Sequence, residues 1–153
     1  YQIAHGADVV QLFDTWLGTM SLEWFRERYV RVLNRIFDDL KRAKAPVIYY
    51  FQRAGHLGDA IKQLNVDVLS IDSLVTLDTF DLRTEGKFSL QGNLDPNILL
   101  TDVSTVRRET RKLVDSAKRV RRPAILNLGH GILPQSQVTN VKAFIEEAHS
   151  PWI

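Results

Sequence analysis

Five short, nearly continuous apolar runs rich in β-branched residues constrain the fold of this 153-residue chain most strongly. They cover residues 7–13, 46–51, 66–71, 88–92 and 123–128. None of them alternates cleanly between apolar and polar residues. Continuous runs of this kind are typical of strands that are buried on both faces, as in a parallel sheet. We therefore predict five parallel strands.

Apolar residues recur at helical spacing between these runs. A first helix is predicted to begin at Ser21, a residue type that caps helix N-termini. Shorter helical patterns cover residues 57–64 and 78–85, and Gly86 is expected to end the second. The inward face of the first helix is predicted to consist of Phe25, Tyr29, Val32, Leu33, Ile36 and Leu40.

Two further helices are predicted in the second half of the chain. Ser104 is expected to cap one of them, and the other begins at about Thr139. Their predicted inward residues are Val106, Leu113, Val114 and Ala117 in the first, and Val141, Phe144, Ile145 and Ala148 in the second.

Strict alternation of strands and helices predicts an α/β fold with a parallel sheet. A doubly wound sheet would be complete at this length, but it calls for a glycine-rich phosphate turn after an early strand, and the first strand has none. A (β/α)8 TIM barrel needs about 250 residues. We therefore predict that residues 1–153 form a single, partial barrel domain of about five βα units.

Polar residues follow each predicted strand, at the end where α/β barrels place their active sites. His130 stands between two glycines, which allow close approach of a ligand, and its imidazole is suited to a carboxylate or to proton transfer. The pattern has no metal-ligand spacing and no nucleotide motif, so it predicts a site for an acidic or polar organic ligand. The candidate residues at the strand ends are Thr15, Arg53, Asp72, Asn93 and His130.

Most of these residues also have a structural interpretation. Asp95, which precedes a proline, is typical of a helix N-cap, and Asn93 is placed to brace the barrel mouth. Asp72 is placed to pair with a neighbouring basic residue. Arg53 is equally consistent with binding a substrate acid and with facing solvent.

Composition limits the partners. The formal net charge is only +2, and eight basic residues between positions 107 and 122 have no aromatic residue among them. A solvated helix face explains them better than nucleic-acid binding.

No apolar run approaches the roughly 20 residues that span a membrane. The absence of cysteine excludes disulfides and thiolate metal sites. The three tryptophans, Trp16, Trp24 and Trp152, are expected in the core or at an interface.

Three segments resemble a known family. Residues 4–8 and 13–18 are similar to the Gly-Ala-Asp … Phe-Asp-Ser-Trp-Ala-Gly segment of uroporphyrinogen decarboxylases. Residues 90–96 match their Leu-Gln-Gly-Asn-Leu-Asp-Pro signature, and residues 127–134 match Asn-Leu-Gly-His-Gly-Ile/Leu-x-Pro. Order and spacing also agree, so the resemblance covers essentially the whole chain.

The resemblance implies a cofactor-free, metal-free, homodimeric (β/α)8 barrel of the cytoplasm or a plastid. The reaction that it implies removes carbon dioxide from the four acetate side chains of uroporphyrinogen III and gives coproporphyrinogen III for haem synthesis. His130 matches a substrate-contacting histidine, and Thr15 matches a substrate-contacting position that is usually serine. The family's key aspartate, tyrosine and arginines lie in its N-terminal portion and match nothing here. By this alignment the chain supplies strands four to eight.

Two departures leave alternatives open. Ser73 follows Asp72 where the family often has tryptophan, and Leu17 stands where alanine is usual. One alternative is a diverged, non-catalytic relative that binds tetrapyrroles or protein partners. Another is a methyltransferase relative, but such a protein needs thiolate zinc ligands, which the lack of cysteine argues against. We expect the isolated chain to be inactive, and to come from a longer chain, pair its sheet edges with another copy, or be poorly stable.

Overall fold

A computed structural model describes residues 1–151. All five predicted strands are present and form one parallel sheet in the order β1-β2-β3-β4-β5. The strands are β1 (Val10–Asp14), β2 (Val47–Phe51), β3 (Val68–Ser70), β4 (Ser89–Leu94) and β5 (Ala124–Leu128).

Helical segments follow every strand. Helix α1 (Leu22–Trp24) continues through a π-helical turn (Phe25–Tyr29) into α2 (Val30–Arg42). The later helices are α3 (Leu77–Arg83), α4 (Val103–Lys118) and α5 (Val138–Ala148). Shorter 3-10 segments cover Ile3–His5, Leu17–Thr19, Ala54–Gln63 and Pro96–Leu100.

The sequential strand order decides between the two architectures. Right-handed crossovers that always move in the same direction place every helix on the same face of the sheet. A doubly wound sheet would instead reverse its order and carry helices on both faces. The sheet is therefore part of a (β/α)8 barrel, as predicted, with five of the eight βα units.

The core lies between the sheet and the helices. Strand register places Leu12, Tyr49, Leu69 and Leu90 side by side on this outer face. The last three of these side chains are completely buried. The opposite, inner face carries a second row across all five strands, formed by Phe13, Tyr50, Ser70, Gln91 and Ile125.

The predicted inward face of the first helix is partly wrong. Val32 and Ile36 are 50% and 38% exposed, whereas Val30 and Phe37 are buried. The π-helical turn is the physical reason, because it contains an extra residue and shifts the apolar stripe along the sequence. From Phe25, the next buried residue comes five positions later rather than four.

Helix caps are predicted with mixed success. Ser21 caps α1 as expected, because its hydroxyl accepts the Trp24 N–H at 3.2 Å. The prediction for Ser104 is wrong: Asp102 caps α4, and its carboxylate accepts the Thr105 N–H at 2.9 Å. A carboxylate at this position also interacts favourably with the helix dipole, which explains why the helix starts earlier.

Three further residues do not lie in the core, although they were predicted to lie there or at an interface. Ile145 is half exposed, although it was predicted on the inward face of the last helix. Trp16 and Trp24 are also exposed, so they are not core residues. Trp152 lies outside the described residues. Within residues 1–151, no helix has the length and apolar character required to cross a membrane.

Candidate functional site

The loops at the carboxyl ends of the strands surround a cavity of about 530 Å³ on the inner face. Thr15, after β1, and His130, after β5, both line it. The structure thus brings together two residues that are 115 positions apart in the sequence and were predicted as one site. The remaining lining residues are Gln11, Phe13, Tyr50, Gln52, Ser70, Asn127, Leu128, Gly131 and Ile132.

His130 is exposed at the mouth of this cavity, on a loop whose start is held firmly. The Gly129 N–H donates to the Leu94 carbonyl at 2.8 Å. A Cβ at Gly129 would lie 2.6 Å from the Ser73 backbone nitrogen, so only glycine lets the β5 loop approach so closely. The His130 Nδ1 lies 3.3 Å from the Gly131 carbonyl. The His130 side chain therefore lies at the cavity, and the backbone that carries it is fixed on its N-terminal side by Gly129.

Thr15 follows a strand end that is anchored by one carboxylate. Asp14 accepts the hydroxyls of Tyr49 at 2.7 Å and Tyr29 at 2.9 Å, as well as the Trp16 N–H at 3.2 Å. Burial raises the pKa of Tyr49 far above its usual value and that of Tyr29 to about 12. Both hydroxyls therefore remain protonated donors at physiological pH, and the loop that carries Thr15 is tied to the sheet and to the helix layer.

Arg53 and Asp72 meet in a second cavity of about 390 Å³, which His130 also lines. Arg53 has a left-handed backbone (φ 54°) that is costly for a residue with a side chain. The Asp72 carboxylate accepts its N–H at 2.6 Å and the Leu74 N–H at 3.1 Å. Asp72 therefore meets the predicted basic neighbour through the backbone of Arg53, rather than through its guanidinium. A strained residue at a strand end is often part of a functional site.

Asn93 and Asp95 take the structural roles that the sequence indicated. The Asn93 amide, 8% exposed, donates to the carbonyls of Asp72 at 2.7 Å and Val75 at 2.5 Å. It thus braces the loop after β3. Asp95 accepts the Asn97 N–H at 2.9 Å and caps the segment that begins at Pro96. Whether Asn93 also contacts a ligand stays a prediction.

Sequence reasoning missed a polar network on the inner face. The Tyr50 hydroxyl donates to the Gly129 carbonyl at 3.0 Å and accepts the Gln52 amide at 2.6 Å. Its signal was available: Tyr50 and Gln52 are two positions apart, so they share a strand face with Ile48. Tyrosine has an apolar body and a polar tip, so it fits a nearly continuous apolar run and does not reveal which partner its hydroxyl takes.

A second part of the network lies deeper on the same face. The Gln91 amide donates to the Ser70 hydroxyl at 3.0 Å and to the Gln11 side-chain carbonyl at 3.3 Å. These contacts join β4 to β3 and to β1. The interior of this half-barrel is therefore polar and hydrogen-bonded near its centre, and not a wholly apolar core.

The basic cluster of the second half belongs to the outer surface. Arg107 and Arg111 bind the carboxylate of Glu147, at 2.9 and 2.6 Å, and so join α4 to α5. Lys112 binds Glu109 on its own helix at 2.9 Å. These ion pairs support the interpretation of a solvated, ion-paired helix face.

The comparisons with known proteins agree with this geometry. A solved structure, a methyltransferase from Methanosarcina mazei, superposes with a TM-score of 0.82 at 18% identity over 95% of this chain and 43% of that one. At that identity the likeness shows the fold alone, which is part of a (β/α)8 barrel.

The family follows from sequence. The model of the family described as uroporphyrinogen decarboxylase (URO-D) matches residues 1–151, so the chain belongs to the uroporphyrinogen decarboxylase family. It is 36% identical to the uroporphyrinogen decarboxylase of Sorangium cellulosum over 97% of its length, and 36% identical to that of Alcanivorax borkumensis over 95%. In both cases it spans 42% of the relative's length.

Proposed function

We propose that this chain supplies the C-terminal part of the substrate site of a uroporphyrinogen decarboxylase, a carboxy-lyase of haem biosynthesis. The single observation that carries the proposal is the convergence of Thr15 and His130 on one inner-face cavity, in a chain of this family. The proposed substrate is uroporphyrinogen III, and the product is coproporphyrinogen III. A cytoplasmic location and a homodimer belong to the same proposal, because the family resemblance implies both.

The proposed reaction breaks the bond between the acetate methylene and its carboxylate. The electron pair of that bond moves into a protonated pyrrole, carbon dioxide leaves, and the methylene carbon then takes up a proton to become a methyl group. The residues of this chain would bind and orient the substrate. An imidazole N–H at His130 and the hydroxyl of Thr15 are suited to donate to substrate carboxylates.

A third group fits the same chemistry. Arg53 and His130 line the smaller cavity together, so one ligand held there can meet both residues. A porphyrinogen with eight carboxylates needs several such donors around its rim. The guanidinium is charged at every physiological pH and forms two parallel hydrogen bonds with a carboxylate. We therefore assign Arg53 to a carboxylate of the substrate that is held in the smaller cavity.

The test is binding of uroporphyrinogen III to the chain under anaerobic conditions, measured by equilibrium dialysis. We expect His130→Asn to weaken binding by about 10- to 100-fold, the range for losing a hydrogen bond to a charged group. Arg108→Ala is the matched control, because Arg108 pairs with Glu109 on the exposed surface of α4. Equal affinities of the two variants would refute the site.

Carbon dioxide release is measured in the same samples. We expect none above background from the isolated chain, because the family's main catalytic groups have no match in it. Binding without release is thus the expected result. Release from the isolated chain would show that the catalytic groups are here, and would overturn that part of the proposal.

A further inference from the structure

The Tyr50 hydroxyl joins two strands that are not neighbours. Tyr50 lies on β2, and its acceptor, the Gly129 carbonyl, follows β5, with β3 and β4 between them. Three strand spacings in a flat sheet amount to about 14 Å, further than a tyrosine side chain reaches. The 3.0 Å hydrogen bond therefore crosses the inside of a curved sheet.

This bond acts on the residue next to His130. The peptide groups before and after the Gly129 Cα are both held, because the Gly129 N–H donates to the Leu94 carbonyl and the Gly129 carbonyl accepts from the Tyr50 hydroxyl. Among residues 1–151, the hydrogen-bond contact that orients the His130 ring is the one of 3.3 Å with the adjacent Gly131 carbonyl. The position of the imidazole thus depends on how firmly Gly129 is held. Burial raises the pKa of Tyr50, so its hydroxyl remains a donor.

Two residues in this region line both of the cavities described above. The larger cavity contains Thr15, and the smaller one contains Arg53. The residues that line both are Gln52 and His130. Gln52 donates to the Tyr50 hydroxyl at 2.6 Å and so orients it. His130 and Gln52 therefore lie where the two cavities meet, and Gln52 is hydrogen-bonded to Tyr50.

We propose that Tyr50 is a positioning residue for His130: its hydroxyl, oriented by Gln52, fixes the Gly129 carbonyl and holds the imidazole between the two cavities. It acts through Gly129 and His130 and not by a contact of its own with substrate. The identity of the ligand rests on the proposed function above, but the positioning does not. The two claims are therefore tested by separate measurements.

The variant is Tyr50→Phe, which keeps the ring and removes only the hydroxyl. Tyr1→Phe is the matched control, because Tyr1 is almost fully exposed and lines neither of the two cavities. The first measurement needs no ligand: hydrogen exchange of the Gly129 amide and the imidazole NMR signals of the chain. A lost hydrogen bond of ordinary net strength is expected to speed exchange of the Gly129 amide by about fivefold.

The NMR signals distinguish positioning from general loosening. We expect the His130 ring signals to move or broaden, while those of His5, His56 and His149 remain unchanged. Tyr1→Phe should leave the His130 signals and the Gly129 exchange as they are. Unchanged His130 signals in Tyr50→Phe, or equal shifts at all four histidines, would overturn the proposal.

The second measurement is uroporphyrinogen III affinity in a double-mutant cycle. Tyr50→Phe is expected to weaken binding by about fivefold in the wild-type background and to have no further effect with His130→Asn. Additive losses would mean that Tyr50 meets the ligand itself, and would refute the positioning role. If the wild-type chain does not bind at all, the proposed function fails, and the ligand-free measurements still decide the role of Tyr50.

Discussion

Replacing Asn93 with alanine shows whether its amide braces the loop after β3 or meets a ligand. Asn93 donates to two loop carbonyls, at 2.7 and 2.5 Å, from an almost fully buried position. A buried acceptor left without its donor costs about 1–3 kcal/mol, so two of them give about 2–6 kcal/mol. Both bonds are only partly buried, and water relieves the upper part of this range. We expect the free energy of unfolding to fall by about 2–4 kcal/mol.

The assay is urea unfolding followed by far-UV circular dichroism. All variants are compared at one protein concentration, because association would shift the apparent stability. With a slope of about 2 kcal/mol per molar urea, a loss of about 3 kcal/mol lowers the midpoint by about 1.5 M. Asn97→Ala is the control: its amide bonds the Asp95 carboxylate at 2.8 Å on the exposed surface. We expect it to change stability by less than about 0.5 kcal/mol.

The two interpretations of Asn93 give opposite results. A brace lowers the urea midpoint whether or not ligand is present. A ligand contact lowers the affinity for uroporphyrinogen III and leaves the midpoint where Asn97→Ala leaves it. The second outcome would refute the reasoning from the two carbonyl contacts.

Two further predictions concern pH and association. The hydroxyls of Thr76 and Ser116 and the Arg119 guanidinium hold the pKa of Asp78 well below its usual range. The stability from this carboxylate is present above about pH 4 and is lost as pH falls further, so Asp78→Asn should flatten the stability curve between about pH 4 and pH 2. An unchanged acid profile of melting temperatures would contradict this. Separately, β1 and β5 each pair on one side only among the described residues, so sedimentation of the chain should depend on concentration. A well-folded monomer with a cooperative melt would exclude association through these sheet edges.

The strands were predictable because each is a continuous apolar run, and their order follows from the alternation with helices. The face of the first helix was not predictable, because the π-helical turn at Phe25–Tyr29 leaves no mark in the sequence and shifts the apolar stripe. The cap at Asp102 competed with Ser104, two positions later, and both residue types cap helices. Only the geometry of the Thr105 N–H decides between them.

The loop residues that line the candidate cavity were predictable from sequence, and the strand residues that line it were not. His130 stands out in the sequence because glycines flank it directly after a strand. Tyr50 lies inside an apolar run, and nothing local indicates that its hydroxyl reaches a carbonyl 79 positions away. Contacts between strands that are not neighbours depend on the curvature of the sheet, which no local sequence pattern encodes.

Asp14 links the outside of the molecule to the candidate site. Its carboxylate receives one hydroxyl from Tyr29, directly before α2, and another from Tyr49, on the core side of β2. A substitution at Tyr29 in the helix layer therefore changes the hydrogen bonding of Asp14, the residue directly before Thr15. Substitutions at Tyr29 or Tyr49 are therefore a route to altering the support of the Thr15 loop without exchanging a residue that lines the cavity. Directed evolution aimed at the mouth alone would miss this route.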